Sequence, residues 1–225
     1  MKRVAMPYRR TTAIRYSDPG IIDEKVFQLQ RILATTQTSH SRFGPGFSLL
    51  GNNYGSAAIP SATLCPTHRI HLGIDCDEVF PNVFIGDERS VRNKPFLKMI
   101  GITHVVNCAE GSGFTMVSTG SGYYADVGIK YIGINVLDVP QARISAHFHE
   151  CANFMDKAIR EGGKVIVHCY MGLSRSATIT IAYLMIKKQM SAEEAVRTVR
   201  RNREIRPNDG FLRQLLALES KLSKE

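Results

Sequence analysis

The chain has 225 residues, 29 Lys and Arg against 20 Asp and Glu, and a formal net charge of +9; that length allows one ordinary domain with an extension, or two small ones. Hydrophobic residues at 44% with charged residues at 22% exclude disorder throughout and a collagen-like repeat, and no apolar run approaches the roughly 18 residues that cross a bilayer. Cys65, Cys76, Cys108, Cys151 and Cys169 are widely spaced with no CxxC pair, and no apolar signal segment follows Met1, a pattern of a reducing compartment rather than of a disulfide scaffold or zinc ribbon.

In chain order, residues 1–60 carry +5 of the charge and residues 61–225 carry +4. Lys2, Arg3, Arg9, Arg10 and Arg15 precede the first acid, Asp18. Such a start suits nucleic acid, an acidic membrane surface or a transit peptide, or a solvated tail. No aromatic-interleaved RNA-binding signature or zinc-finger spacing supports a nucleic-acid partner. Ile22, Val26, Leu29 and Leu33 form one stripe of an amphipathic helix, with Asp23 and Glu24 in its first turn. Residues 35–62 are rich in Ser, Thr, Gly and Asn and read as a linker. From Val79 short apolar runs alternate with helical stretches. Strands are expected at 83–86, 104–108, 130–135 and 164–168. Helices are expected up to Ile100, over 145–160 and 176–188, after a Ser191–Glu194 capping box, and over 210–222. Strands separated by helices give an α/β fold with a largely parallel central sheet. The boundaries are an extension over 1–62 and an α/β domain over 63–225.

The informative segment is Lys164-Val-Ile-Val-His168-Cys169-Tyr170-Met171-Gly172-Leu173-Ser174-Arg175-Ser176. A strand runs into a short loop that opens an apolar helix, so backbone N–H groups converge at the positive end of a helix dipole and make an anion cradle. Gly172 lets the backbone curl. The same N–H groups and Arg175 favour a thiolate, and the planar guanidinium fork matches two phosphate oxygens. A thiolate facing a clamped phosphate is placed for in-line displacement. A buried cysteine after a strand is ordinarily packing, the reading given to Cys151. The combination around Cys169 points beyond packing.

His-Cys-x-x-Gly-x-Ser-Arg-Ser resembles the signature loop of the dual-specificity protein phosphatases, within the cysteine-dependent phosphatase superfamily. Gly101-Ile-Thr-His-Val-Val-Asn-Cys-Ala-Glu-Gly111, Ile181-Ala-Tyr-Leu-Met185 and Asn202-Arg-Glu-Ile-Arg-Pro-Asn-Asp-Gly-Phe-Leu212 are similar to the vaccinia H1-related phosphatase and its small atypical relatives, over about residues 75–225. The resemblance implies that Cys169 attacks phosphorus and forms a phosphocysteine. Arg175 and the amides of the loop, His168 to Ser174, hold the phosphate. Ser176 helps the sulfur leave, and His168 orients the loop and tunes the cysteine. The family's general acid precedes the cysteine by about thirty residues. Asp138, 31 residues upstream and just after a strand, fits, whereas its rival Asp126 precedes that strand.

The loop interior, Tyr170, Met171 and Leu173, lacks the lysines of phosphoinositide phosphatases and the Asn-Arg-Thr of RNA triphosphatases. The resemblance therefore implies a shallow site for phosphotyrosine and phosphoserine/threonine, with no cofactor and no metal. Phosphorylated proteins are the implied partners, mitogen-activated protein kinases as a family-level guess, in cytoplasm or nucleus. Arg197, Arg200 and Arg201 share a helix face with Arg203 and Arg206 beyond, either a solvated basic face or a dock for acidic peptides. Arg203 matches a position that contributes a second phosphate pocket in the vaccinia H1-related enzyme. Asn208-Asp209-Gly210-Phe211 reads as a turn starting the last helix. Cys108 ends a strand expected beside 164–168, where lipid-phosphatase relatives carry a cysteine able to bond the nucleophile, so a reversible Cys108–Cys169 disulfide is an expectation. A catalytically idle phosphoprotein-binding module and a phosphatase of non-protein substrates are the other readings. Oligomeric state is not legible.

Overall fold

The computed structural model describes residues 19–39 and 74–224. The basic tail up to Asp18, residues 40–62 of the expected linker, and Cys65 lie outside the described residues.

Strands β1 (Cys76–Phe80), β2 (Val83–Gly86), β3 (His104–Asn107), β4 (Lys130–Gly133) and β5 (Val165–His168) form one sheet in the order β1-β2-β5-β3-β4. All neighbours are parallel except the β1–β2 hairpin. Every residue of β3 and β5 is buried, because both faces of these central strands are covered. Their alternation divides the core. Val105 and Ile166 pack with Val91, Leu97 and Tyr124, while Val106, Val165 and Val167 join Met155, Ile179 and Ile181 on the other face.

The α-helices of the described residues are α1 (Pro19–Thr35), α2 (Glu88–Arg92), α3 (Lys94–Met99), α4 (Phe148–Arg160), α5 (Arg175–Lys188), α6 (Ala192–Asn202) and α7 (Asp209–Leu222). Residues 175–185 of α5 are buried on all sides, and small residues such as Ala177 and Ala182 let its neighbours approach. The hydroxyls of Thr178 and Thr180 are satisfied by the carbonyls one turn back, Ser174 O at 2.8 Å and Ser176 O at 2.9 Å, so they cost little inside the core. The capping box of α6 forms as expected: Ser191 Oγ accepts from Glu194 N–H and the Glu194 carboxylate accepts from Ser191 N–H. No helix among the described residues is long and apolar enough to cross a membrane.

Several elements differ from the sequence reading. β1 was not expected, since alternation is weak across Cys76-Asp-Glu-Val-Phe80. The single helix expected to reach Ile100 is two. Asn93 ends α2 with its N–H bonded to Ser90 O and starts α3 with a side chain that accepts from Phe96 N–H. Strand β3 stops at Asn107, whose side chain accepts from Ala109 N–H and donates to Val117 O, bending the chain away before Cys108. Strand β4 stops at Gly133, and a 3-10 turn over Ile144–His147 precedes α4. Val26, Leu29 and Ile32 of α1 are buried in the same core as Val196 and Leu215.

Candidate active site

Cys169 follows β5 at the carboxyl edge of the sheet and is 1% exposed. Its Sγ lies 3.3 Å from Ser176 Oγ and accepts a hydrogen bond from Gly172 N–H at 3.2 Å. The carbonyls of the loop are all engaged from behind. Glu88 N–H donates to Tyr170 O (3.1 Å) and Arg206 N–H to Leu173 O (2.7 Å). Arg203 Nε donates to Gly172 O (2.8 Å) and Nη2 to Met171 O (3.4 Å). In a trans peptide the N–H points opposite to the C=O, so the N–H groups of residues 171–174 turn toward the space above Sγ. That is an anion cradle.

Arg175 opens α5 and is 2% exposed. Nη1 donates to Val136 O (3.0 Å) and Nη2 to Thr115 O (2.9 Å). Thr115 is held at φ 60, in the left-handed region. Nε has no hydrogen-bond partner and faces Asp138 Oδ2 at 3.7 Å. A buried guanidinium donor without a partner, beside inward-facing amides, suits an anionic oxygen.

Asp138 Oδ1 accepts from Ser174 Oγ (2.7 Å) and from Asn208 Nδ2 (2.9 Å). Asp126 is elsewhere: it precedes β4 and pairs with Lys94 at 2.7 Å, and that hydrogen bond holds its carboxyl below the usual range. A cleft of about 670 Å³ brings Asp138, Cys169, Tyr170, Met171, Leu173, Ser174 and Arg175 together. Its rim is apolar, with Phe114, Leu137, Val139, Tyr170 and Met171 all exposed. Among the described residues no group of three or more His, Cys, Asp or Glu side chains could hold a metal ion.

His168 is fully buried and contacts Cys169 O through Nδ1 (3.4 Å). Burial pushes its pKa down from 6.5 to about 3, so near neutral pH the ring acts as an uncharged packing and hydrogen-bonding group rather than a cation. In the unfolded chain the ring takes up its proton first. Stability from this group is therefore complete above pH 6.5 and lost as pH falls toward 3, by about 1.4 kcal/mol for each pH unit. Thermal melts of wild type and His168→Gln between pH 7 and 4 are expected to show the acid-side decline shallower in the variant.

Arg203 is not placed as expected. It is 2% exposed, and its guanidinium binds Asp75 (2.9 Å) and Asp77 (2.6 Å) at the β1 edge as well as the two loop carbonyls. Its backbone, extended at φ −150 and ψ 139, ends α6 and turns the side chain inward. Its donors are engaged by two carboxylates and by the back of the cradle, so in this structure Arg203 braces the loop. Gly172 is squeezed by the same group: at φ +69, a Cβ there would lie 2.6 Å from Gly86 O and 2.7 Å from Arg203 Nη2. Arg203→Met is expected to cost about 3 kcal/mol in denaturant unfolding and to lower kcat equally on mono- and diphosphorylated peptides. A selective loss on the diphosphorylated peptide would restore the second pocket. The other arginines also disperse. Arg200 Nε donates to Leu33 O at the end of α1 (2.8 Å), and Arg206 pairs with Glu204.

Cys108 N–H donates to His168 O (2.8 Å), which sets Cys108 beside Cys169 in the parallel register. It is fully buried, and burial holds its thiol well above the ordinary range; Cys151 is likewise pushed up to about 12. Asn208, Asp75 and Asp77 were not expected at the site. Their contacts span 70 to 128 residues of chain, and only the Asn208 cap has a local signal.

Residues 83–221 match the family model described as dual specificity phosphatase, catalytic domain. Over 150 residues the chain is 44% identical to human dual specificity protein phosphatase 13B, covering 66% of this chain and 75% of that protein. Human DUSP28 superposes with a TM-score of 0.57 at 29% identity, covering 65% of this chain and 94% of that one. A mouse putative dual specificity phosphatase complexed with zinc tungstate gives 0.59 at 28% identity, covering 77% and 96%. From β2 through the cradle to α7 the match is continuous, and the chain belongs to the dual-specificity phosphatases, among their atypical members.

Proposed function

We propose that this phosphatase acts on phosphoproteins through a phosphocysteine on Cys169, taking both phosphotyrosine and phosphoserine/threonine. The observation that carries the reading is the convergence of Sγ, the inward N–H groups, the Arg175 Nε that makes no hydrogen bond and the Asp138 carboxyl in one cleft. Sulfur attacks phosphorus, the S–P bond forms and the ester P–O bond breaks. Asp138 gives its proton to the leaving oxygen. Water then attacks phosphorus, Asp138 takes the water proton, and the S–P bond breaks with a hydrogen bond from Ser176 to the departing sulfur. Arg175 and the amides bear the charge of the equatorial oxygens through both steps. The open apolar rim suits phosphotyrosine and shorter phosphoesters alike. It offers no cationic side chains for a polyanionic lipid headgroup apart from Arg175 and Arg206.

Acid quench during turnover of phosphotyrosine and phosphothreonine peptides, followed by mass spectrometry, should find one phosphate on Cys169, and vanadate should suppress it. Phosphate on another residue, or turnover of phosphoinositides alone, would overturn the reading. An Asp138→Ala pull-down from cells is expected to retain the phosphoprotein substrates, mitogen-activated protein kinases being the family-level candidates.

A further inference from the structure

The geometry points to Asn208 as the positioning residue of the general acid: one side chain starts the last helix with its oxygen and, with its nitrogen, fixes which oxygen of Asp138 carries the proton. The inference rests on the reading of Asp138 as the acid.

Asn208 Oδ1 accepts from Phe211 N–H at 3.0 Å, the N-cap bond of α7. That commitment leaves Nδ2 as the only group the side chain can present to Asp138, at 2.9 Å. A flipped amide would put its oxygen against the carboxylate and its NH2 against a backbone N–H, losing both bonds at once. Ser174 Oγ donates to the same Asp138 oxygen at 2.7 Å. With two donors on Oδ1, that oxygen is an acceptor. The proton of the acid form therefore resides on Oδ2, the oxygen facing Arg175 Nε across the cleft.

The loop itself has little else to hold the carboxyl. Leu137 is 55% exposed and Val139 41%, so the flanking side chains are not anchored in the core. What anchors the segment is α7. A Cβ on Gly210 would lie 1.9 Å from Pro140 O, a backbone approach that only glycine permits. Gln214 Nε2 donates to Ala142 O (2.9 Å), and its Oε1 accepts from Ser145 N–H (2.9 Å). Asn208 is the one contact of this set that reaches the carboxyl group.

The charged groups around Asp138 are known on every side. Arg175 on α5 and Arg206 before α7 line its cleft, and Arg143 and His147 line the groove on the other face of the loop. The acidic neighbours of Asn208 in sequence are turned away: Glu204 pairs with Arg206, and Asp209 accepts from Gln30. The Cys169 thiol lines the same cleft, and a carboxylate at position 208 would add a second acid within hydrogen-bond reach of Asp138.

The test uses the full chain and the variants Asn208→Ser and Asn208→Asp. Both residues cap helices well, so α7 keeps its start, and both remove the amide donor. Rates are measured on an aryl phosphate with an acidic leaving group and on a phosphoserine peptide, whose alkoxide needs a proton to leave. In both variants the aryl-to-serine ratio of kcat is expected to rise about tenfold or more. In Asn208→Asp the loss on the phosphoserine peptide is expected to be at least as large as in Asn208→Ser, because a carboxylate cannot donate to Asp138 Oδ1 as the amide does. Equal losses on both substrates would reduce Asn208 to a helix cap and overturn the inference. Asp138→Asn, run in parallel, separates the two claims. If it leaves the ratio unchanged, Asp138 is not the acid and both fall; if it raises the ratio while the Asn208 variants do not, only the positioning role falls. Adding Asn208→Ser to Asp138→Asn is expected to raise the ratio no further, and a further rise would also overturn the inference.

Discussion

Cys169→Ser is expected to abolish turnover, by at least about four orders of magnitude in kcat, while phosphopeptide binding stays within a few-fold of wild type. The exchange is nearly isosteric at a side chain that is 1% exposed. Gly172 N–H can donate to the new oxygen as it does to sulfur at 3.2 Å, and the cradle, Arg175 and the rim are untouched. What changes is the nucleophile: a serine hydroxyl stays protonated where a thiol can ionise, and the side chain hydrogen-bonded to Cys169 Sγ is another hydroxyl, Ser176, which is no base. Single-turnover kinetics on a phosphotyrosine peptide, with binding followed by calorimetry, checks both halves. Activity within tenfold of wild type would show that sulfur is not the attacking atom.

Asp138→Asn is expected to lower kcat by about 10²- to 10⁴-fold on phosphoserine and phosphothreonine peptides, and by much less on aryl phosphates with acidic leaving groups. The amide is the same size, and its oxygen still accepts from Ser174 Oγ and Asn208 Nδ2, so the loop keeps its place. The proton is what is missing. A plot of log kcat against leaving-group acidity measures the effect: the wild-type line is shallow and the variant line steep. Parallel lines would remove Asp138 from the chemistry.

How much of this was legible in the chain depends on how far the partners lie apart. The cradle was, because strand, loop, arginine and helix fall within Lys164–Ser176 and each has a local signal. So was the place of Asp138 in the cleft, because its strand and its distance from Cys169 are both sequential. The capping box of α6 was, for the same reason. Arg203 was not. Helical periodicity places it on a basic surface, yet the helix has ended there, and Asp75 and Asp77, 128 and 126 residues away, draw it inward. Asn208 was half legible: its cap is local, and its second bond is tertiary. β1 lacks a period because one edge strand with a bulge between Glu78 and Phe80 needs none. The buried helix α5 gives no amphipathic signal since it has no wet face.

Helix α1 lies before the segment by which the family is recognised, and it is no ornament. Val26, Leu29 and Ile32 cover the core beside α6 and α7, burial on the order of 5 kcal/mol, a large part of what holds an ordinary domain together. Gln30 donates to Asp209, Asp23 pairs with Arg213, and Lys25 with Glu219, so the helix is moored along α7, the element that carries Asn208. A piece cut at residue 83 would forfeit α1 and, with β1, the two carboxylates that neutralise Arg203 beneath the cradle. The self-sufficient enzyme is therefore longer than its signature. Comparisons of this phosphatase with trimmed kin would confound chemistry with the loss of its moorings.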